Sequence, residues 1–148
     1  MTSNLPRNGA AAAVLPGAQP IRVLFCCNPG FYQHLAVALA SLLVNNQQRS
    51  LDVTIIASAE DAAAERKLLS VLPEHPDAKV TLRHFALDGF NALPTSGHIT
   101  AEAYLRILAI DMLPPECTKA LYLDCDLAVV TALADLWETG ISGHALAA

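Results

Sequence analysis

The amino-acid sequence predicts an α/β fold, in which a doubly wound, mostly parallel sheet is flanked by helices. Nearly continuous apolar runs, typical of strands buried on both faces, alternate along the chain with segments whose apolar residues recur at helical spacing. Hydrophobic residues make up 53% of the 148 residues and charged residues 16%, which is the composition of a folded chain and not of a disordered one. This length has room for one domain with a sizeable core.

The first half of the chain supplies two strand and helix pairs. Ile21–Cys27 is the first apolar run and predicts a buried strand, which ends at the turn residues Asn28-Pro29-Gly30. Residues 31–44 carry leucines at helical spacing and predict the first helix. Residues 52–57 predict a second strand and residues 59–72 a second helix.

The second half continues the alternation. Residues 79–86 alternate in the manner of a third strand, and residues 87–97 contain the glycines and proline of a loop. Residues 100–114 predict a helix that begins at Thr100 and has a core stripe of Leu105, Leu108 and Met112. Residues 119–124 predict the last strand. Alternation of this kind implies right-handed βαβ units, with a ligand crevice at the carboxyl ends of the strands.

Residues 1–20 are rich in Ala, Gly and Pro and predict a mobile leader ahead of a domain that spans residues 21–148. The apolar run at residues 10–15 is too short for a signal peptide or a transmembrane segment. A net charge of −5 and a pI near 5.4 argue against a nucleic-acid partner, which needs a basic face.

The four cysteines have neither zinc nor C-x-x-C spacing. Cys26 and Cys27 are adjacent in a predicted strand and therefore point to opposite faces, which suits core residues better than a disulfide. Reduced thiols predict a cytoplasmic location.

Two carboxylates stand one residue apart where the last strand stops. In a strand, residues i and i+2 point to the same side, so Asp124 and Asp126 are expected to reach one hard cation together, with Cys125 between them. The alternative is a polar strand end with solvated side chains, since short motifs match by chance.

The order of the motifs around this D-x-D resembles glycosyltransferase family 8, which includes lipopolysaccharide galactosyl- and glucosyltransferases and the glycogenins. A helix bearing Tyr104-x-Arg106 is followed by a proline loop, by the strand that ends in D-x-D, and by the Leu-x-x-Leu-Trp segment at residues 133–137. The resemblance covers the chain from about Ile21 to its last residue. It implies a GT-A fold and retaining hexosyl transfer from a UDP-hexose, with Mn²⁺ or Mg²⁺, to a glycan or a lipid-linked saccharide, as in lipopolysaccharide biosynthesis.

The resemblance also implies a nucleoside site at the first turn. Cys26 matches a small backbone-contact position of the family, Asn28 an acidic one, Gly30 a polar one and Phe31 an aromatic one that stacks on uracil. Asn28 departs from the usual Asp, although its amide still accepts a hydrogen bond. The alternative is a structural turn that begins a helix, with Phe31 packed in the core.

For Arg106 the resemblance implies contact with the diphosphate or the donor sugar, where a fixed positive charge favours the leaving group. The alternative is an exposed ion pair with Glu102, four residues earlier. His98 is expected to cap a loop. The other four histidines show no ligand spacing and are expected to be structural or exposed, and Trp137 is expected to fill the core under the sheet.

Two carboxylates do not complete an octahedral shell. In the family the third protein ligand is a histidine far downstream, as are the acceptor-binding residues. We therefore expect this sequence to be the donor- and metal-binding part of a transferase, inactive by itself. One alternative is a noncatalytic nucleotide- or metal-binding module, or a remnant that acts only with a partner. A nucleotidyltransferase is less favoured, because no glycine-rich phosphate loop is present.

Overall fold

A four-stranded parallel sheet forms the centre of the molecule, with the strand order β3-β2-β1-β4. The computed structural model describes residues 19–85, 104–141 and 143–144. Its strands are β1 (Ile21–Cys27), β2 (Leu51–Ala57), β3 (Ala78–His84) and β4 (Leu121–Tyr122).

Helices connect the strands. A short 3₁₀ turn (Pro29–Phe31) leads into α1 (Tyr32–Asn45), and α2 (Ala62–Ser70) follows β2. The brief helix α3 (Leu105–Leu108) continues as a second 3₁₀ turn (Ala109–Met112), and α4 (Ala134–Glu138) follows β4.

The predicted strand boundaries are confirmed for β1, and they are one residue late at the start of β2 and β3. The second helix begins at Ala62, three residues later than predicted, because the Asp61 side chain accepts a hydrogen bond from the Ala64 backbone N–H at 2.9 Å and so caps the first turn there.

The predicted helix over residues 100–114 is described only from Tyr104. Thr100, His98 and Glu102 lie outside the described residues, as do the predicted leader up to residue 18 and the loop over residues 87–97.

The sheet buries apolar side chains on both faces, which confirms the doubly wound prediction. Alternate β1 residues, Val23, Phe25 and Cys27, join the larger core with α1, α2 and α4. Leu24 and Cys26 face the other side, where Leu24 packs with Leu105 of α3 in a smaller core. The two adjacent cysteines therefore point to opposite faces, as predicted, and all four cysteines are free thiols.

Trp137 is buried in the larger core, which confirms its predicted role as core filler. Of the core stripe predicted for the third helix, Leu105 is fully buried, while Leu108 and Met112 are only partly buried. Among the described residues, none of the helices has the length and apolar character needed to cross a membrane.

Candidate functional site at the carboxyl edge of β1 and β4

The site is built where two neighbouring parallel strands end. Pairing of Val23 with Leu121 and of Leu24 with Tyr122 sets β4 beside β1, and the Leu123 N–H extends the contact by donating to the Leu24 carbonyl at 3.0 Å. The carboxyl ends of parallel strands share one edge of a sheet. The turn after β1 and the D-x-D segment after β4 therefore lie at the same edge.

The two aspartates lie in a turn and not in the strand that the sequence predicts. β4 ends at Tyr122, two residues before Asp124, because the chain then turns inward to bury Cys125. The Cys125 thiol is 7% exposed and donates a hydrogen bond to the Cys26 carbonyl at 3.2 Å. Asp124 and Asp126 on either side are exposed. The buried cysteine thus anchors a turn that presents two carboxylates to solvent.

Tyr122 contacts the first of these carboxylates, and Arg106 contacts the ring of Tyr122. The Tyr122 hydroxyl donates to Oδ1 of Asp124 at 3.0 Å, and burial together with this hydrogen bond raises the pKa of the phenol above its ordinary value. The Arg106 guanidinium carbon lies 5.5 Å from the centroid of the Tyr122 ring, within the range of a cation–π contact. Tyr122 therefore contacts both residues, Arg106 through its ring and Asp124 through its hydroxyl. Glu102, the alternative partner of Arg106, lies outside the described residues.

The turn after β1 leaves its side chains available. Asn28 precedes the 3₁₀ turn with an extended backbone (φ −105°, ψ 162°), and its side chain makes no capping hydrogen bond. The turn is closed instead by the backbone, through the Phe31 N–H and the Asn28 carbonyl at 3.0 Å. A Cβ on Gly30 would come within 3.0 Å of the Asn28 side-chain oxygen, so the glycine makes room for this amide.

Phe31 is 46% exposed, and the interpretation that it packs in the core is wrong. Its ring lies beside the ring of His34 in α1, with the centroids 5.5 Å apart and the two planes tilted by 41°. The following residue, Tyr32, is the one that enters the core. The half-exposed Phe31 ring therefore lies at the carboxyl edge of the sheet.

Raised pKa values keep the Cys26 and Cys27 thiols protonated, whereas a hydrogen bond with Cys27 lowers the pKa of Cys125. Burial, followed by the neighbouring Cys125 and Asp124, raises the pKa of Cys26 to about 12, although Arg106 opposes the shift. A hydrogen bond with Cys125 and burial raise the pKa of Cys27 still further above the ordinary value. A thiol in this state is a poor nucleophile. Cys26 therefore contributes its backbone and an apolar surface.

A cleft of about 410 Å³ opens between the D-x-D turn and α1. It is lined by Asp126 and Leu127 on one side and by Gln33, His34 and Val37 on the other. Tyr122 and His34 also lie at this edge, although they are not among the site residues that the sequence predicts. His34 follows Phe31 by three residues, and this spacing could have indicated that the two side chains lie close together.

Two of the other described histidines, His75 and His84, have structural hydrogen-bond partners. Nε2 of His75 lies 3.0 Å from the Asn46 carbonyl, and Nε2 of His84 lies 2.7 Å from Oε1 of Glu65. His144 is exposed. Within the described ranges, no group of three or more His, Cys, Asp and Glu side chains could hold a metal ion. Asp124 and Asp126 fit as two hard oxygen ligands of an incomplete shell.

Comparison with known proteins agrees with this geometry. The family model described as "Glycosyl transferase family 8" matches residues 22–148. The lipopolysaccharide 1,2-glucosyltransferase of Escherichia coli K12 is 26% identical over 123 residues, which cover 83% of this chain and 36% of that protein. Glycosyltransferase GlyF of Streptococcus pneumoniae is 31% identical over 115 residues, covering 77% and 27%.

Solved structures share the fold. The galactosyltransferase LgtC, solved in complex with donor and acceptor sugar analogs, has a TM-score of 0.71 and 21% identity, over 82% of this chain and 44% of LgtC. The bifunctional glycosyltransferase WbbM has a TM-score of 0.64 and 20% identity, over 89% of this chain and 23% of WbbM.

The chain spans less than half the length of these relatives. The family model nevertheless matches nearly all of it, the parallel sheet is that of the GT-A transferases, and the D-x-D turn and the first turn meet at one edge. The chain therefore belongs to glycosyltransferase family 8.

Proposed function

We propose that residues 21–148 form the donor-binding part of a metal-dependent, retaining hexosyltransferase that uses a UDP-hexose. The observation that carries the proposal is the meeting of two turns at the carboxyl edge of β1 and β4. One turn offers an uncommitted amide and a half-exposed ring, and the other offers two carboxylates, next to a tyrosine that also contacts a guanidinium. A base, a ribose and a charged diphosphate need groups of these kinds.

The first turn recognises the nucleoside. Phe31 stacks on uracil with its exposed face, and the side-chain amide of Asn28 hydrogen-bonds a uracil or ribose group. Gly30 keeps the space that this amide occupies. Cys26 limits the pocket with its backbone and its neutral thiol.

The second turn holds the diphosphate through a cation. Asp124 and Asp126 are the ligands that would hold Mn²⁺ or Mg²⁺, hard cations that prefer carboxylate oxygens. When bound, such an ion supplies Lewis-acid stabilisation of negative charge on the leaving diphosphate. Tyr122 is a positioning residue, because its hydroxyl occupies Oδ1 of Asp124 and so fixes the orientation of this carboxylate. Arg106 places a second positive charge beside the leaving group.

The acceptor in this proposal is a glycan or a lipid-linked saccharide. The support is the similarity to an E. coli lipopolysaccharide 1,2-glucosyltransferase and to LgtC, whose structure holds donor and acceptor sugar analogs. We also place the protein in the cytoplasm, since its four cysteines are free thiols.

Calorimetry with UDP tests the proposal. We expect UDP binding in the presence of Mn²⁺ to weaken at least tenfold, the scale of one charge-assisted contact, when EDTA replaces the ion or when Asp124→Asn is combined with Asp126→Asn. The control combines Asp111→Asn with Asp135→Asn, which removes two exposed carboxylates outside both turns and is expected to leave the affinity unchanged.

Equal UDP affinity with Mn²⁺ and with EDTA would contradict the metal-dependent site and favour a metal-independent nucleotide-binding module. GDP serves as the second ligand. Because the proposal assigns uracil to the Phe31 ring and the Asn28 amide, GDP should bind more weakly than UDP. Equal binding of the two nucleotides would contradict recognition of uracil by these residues.

A further inference from the structure

The amino-terminal edge of the sheet, opposite the D-x-D turn, contains a basic cavity of about 460 Å³. Arg22 at the start of β1, Arg49 just before β2 and Lys119 just before β4 line it. Since all four strands are parallel, these positions lie together at the edge that the donor site does not use. Trp137 and Glu138 of α4 complete the wall.

Two guanidinium nitrogens in this cavity lack an acceptor. Nε of Arg22 and Nε of Arg49 are buried, and neither has a hydrogen-bond partner in the part of the chain that the structure describes. The carboxylate nearest to Arg22, that of Asp52, lies 4.0 Å from its Nε and is too far to accept a hydrogen bond. Glu138 bonds to Nη2 of Arg49 at 3.1 Å and leaves Nε unused. A buried charged donor without an acceptor is costly, so this cavity favours an acceptor from outside the chain.

The charge balance indicates which acceptor fits. Three cations line the cavity, Arg22, Arg49 and Lys119. Glu138 is the one carboxylate in its wall, and Asp52 lies outside the lining, 4.0 Å from Nε of Arg22, so at least one positive charge is unbalanced. The Lys119 ammonium already donates to the carbonyls of Trp137 and Thr139, whereas each guanidinium Nε has no acceptor among the described residues. The volume exceeds that of a few water molecules, each of which takes about 30 Å³. A singly charged oxyanion supplies both the acceptor oxygens and the missing charge.

We propose that this cavity binds a singly charged oxyanion, a carboxylate or a phosphodiester group, through Arg22 and Arg49. The site is separate from the donor site and does not depend on the proposed transferase activity. Because Arg22 is the second residue of β1 and Asn28 follows its last residue, the two sites lie at opposite ends of the same strand. An anionic substituent on a larger molecule would therefore be held without competing with a nucleotide.

Trp137 provides a direct measure of binding, since it is the only tryptophan in the chain. The Lys119 ammonium lies 4.5 Å from the centroid of its ring, so a change of charge in the cavity alters the surroundings of the indole. The probes are acetate and dimethyl phosphate, added at constant ionic strength against chloride and in the presence of EDTA. We expect a saturable change in fluorescence for at least one of them, with a dissociation constant of the order of millimolar, the range open to a ligand of a few atoms. The probe that binds more tightly distinguishes a carboxylate from a phosphodiester.

Matched variants decide whether the cavity is responsible. Arg22→Gln should weaken binding about tenfold or more, while Arg66→Gln, which removes an exposed cation on α2, should leave it unchanged. Glu138→Gln should tighten binding several-fold, because it removes a competing carboxylate that is itself 68% exposed. The combined Asp124→Asn and Asp126→Asn variant should bind the probe normally.

A fluorescence change that does not saturate, or equal affinity for Arg22→Gln and Arg66→Gln, would overturn the proposal. If Arg22→Gln lowers the melting temperature so far that the chain unfolds, Glu138→Gln decides alone, and unchanged affinity in that variant is then the contrary result. A loss of binding in the Asp124 and Asp126 variant would assign the probe to the donor edge and would also overturn the proposal, whatever the outcome of the UDP experiment.

Discussion

Single residues with opposite exposure set the chemistry of the carboxyl edge. Cys125 is buried and bonded to the Cys26 carbonyl, and the carboxylates on both sides of it are exposed. Tyr32 is buried, and Phe31 before it is half exposed. In each turn a buried residue fixes the backbone, and the side chain next to it is exposed to solvent. Neither turn is part of an extended strand.

Gly30 gives a prediction at this scale. Gly30→Ala places a methyl group 3.0 Å from the Asn28 side-chain oxygen, which must then move by a few tenths of an ångström. We expect UDP affinity in the presence of Mn²⁺ to fall several-fold, because the displaced amide loses alignment with the nucleoside. Calorimetry measures the affinity, and thermal unfolding should show little change, since Gly30 is exposed.

Gly140→Ala is the matched control, because a methyl group there meets nothing within 4 Å. This variant should bind UDP with the same affinity as the protein without substitutions. If Gly30→Ala binds UDP as tightly as Gly140→Ala does, the Asn28 amide has no part in nucleoside recognition.

At the scale of elements, one buried amide joins α1 to the segment that follows the D-x-D turn. Asn46, at the end of α1, is 2% exposed. Its Nδ2 donates to the Leu42 carbonyl and its Oδ1 accepts from the Leu133 N–H, both at 2.8 Å. Its own carbonyl lies 3.0 Å from Nε2 of His75. The segment that follows the D-x-D turn is thus joined by hydrogen bonds to the end of α1.

Replacement of this amide should destabilise the whole sheet. Asn46→Leu keeps a similar volume but leaves the buried Leu133 N–H without an acceptor, and we expect the free energy of unfolding to fall by about 1 to 3 kcal/mol. Chemical denaturation measures the loss. Gln48→Ala, at an exposed position two residues later, is the control and should change stability by less than about 0.5 kcal/mol. Equal stability of the two variants would mean that the Asn46 contacts are not part of the cooperative unit.

How far the sequence predicts these elements depends on how each is stabilised. β1 and β2 are buried on both faces, so their apolar runs mark them within one residue. β4 has only two paired residues, because burial of Cys125 turns the chain out of the sheet, and no local pattern signals such a long-range contact. The hydrogen bond of Tyr122 with Asp124 is not predicted for a related reason, since Tyr122 packs against the smaller core that contains Leu24 and Leu105, and such contacts leave no local pattern.

The topology of the whole molecule explains why two turns that lie far apart in sequence meet. The chain adds β2 and then β3 on one side of β1 and returns to place β4 on the other side. The strand order therefore reverses between β1 and β4, and ligands of open α/β sheets bind outside the carboxyl ends of the strands at such a point. The alternation in the sequence predicts the edge that is used, whereas the strand order that brings Asn28 and Asp124 together comes from the structure.

The same topology gives a prediction for the whole molecule. A ligand that bridges the ends of β1 and β4 stabilises the folded chain by mass action, by about 2.7 kcal/mol at a concentration one hundred times its dissociation constant. For a domain of this size we expect UDP with Mn²⁺ to raise the melting temperature by roughly 5 to 10 °C, and UDP with EDTA to raise it much less. Hydrogen exchange should slow most at Leu121–Tyr122, since this short edge strand has the fewest backbone pairs to lose before it opens, and least in β3 at the far edge of the sheet. Equal thermal shifts with Mn²⁺ and EDTA, or slower exchange centred on β3, would place the nucleotide away from the meeting of the two turns.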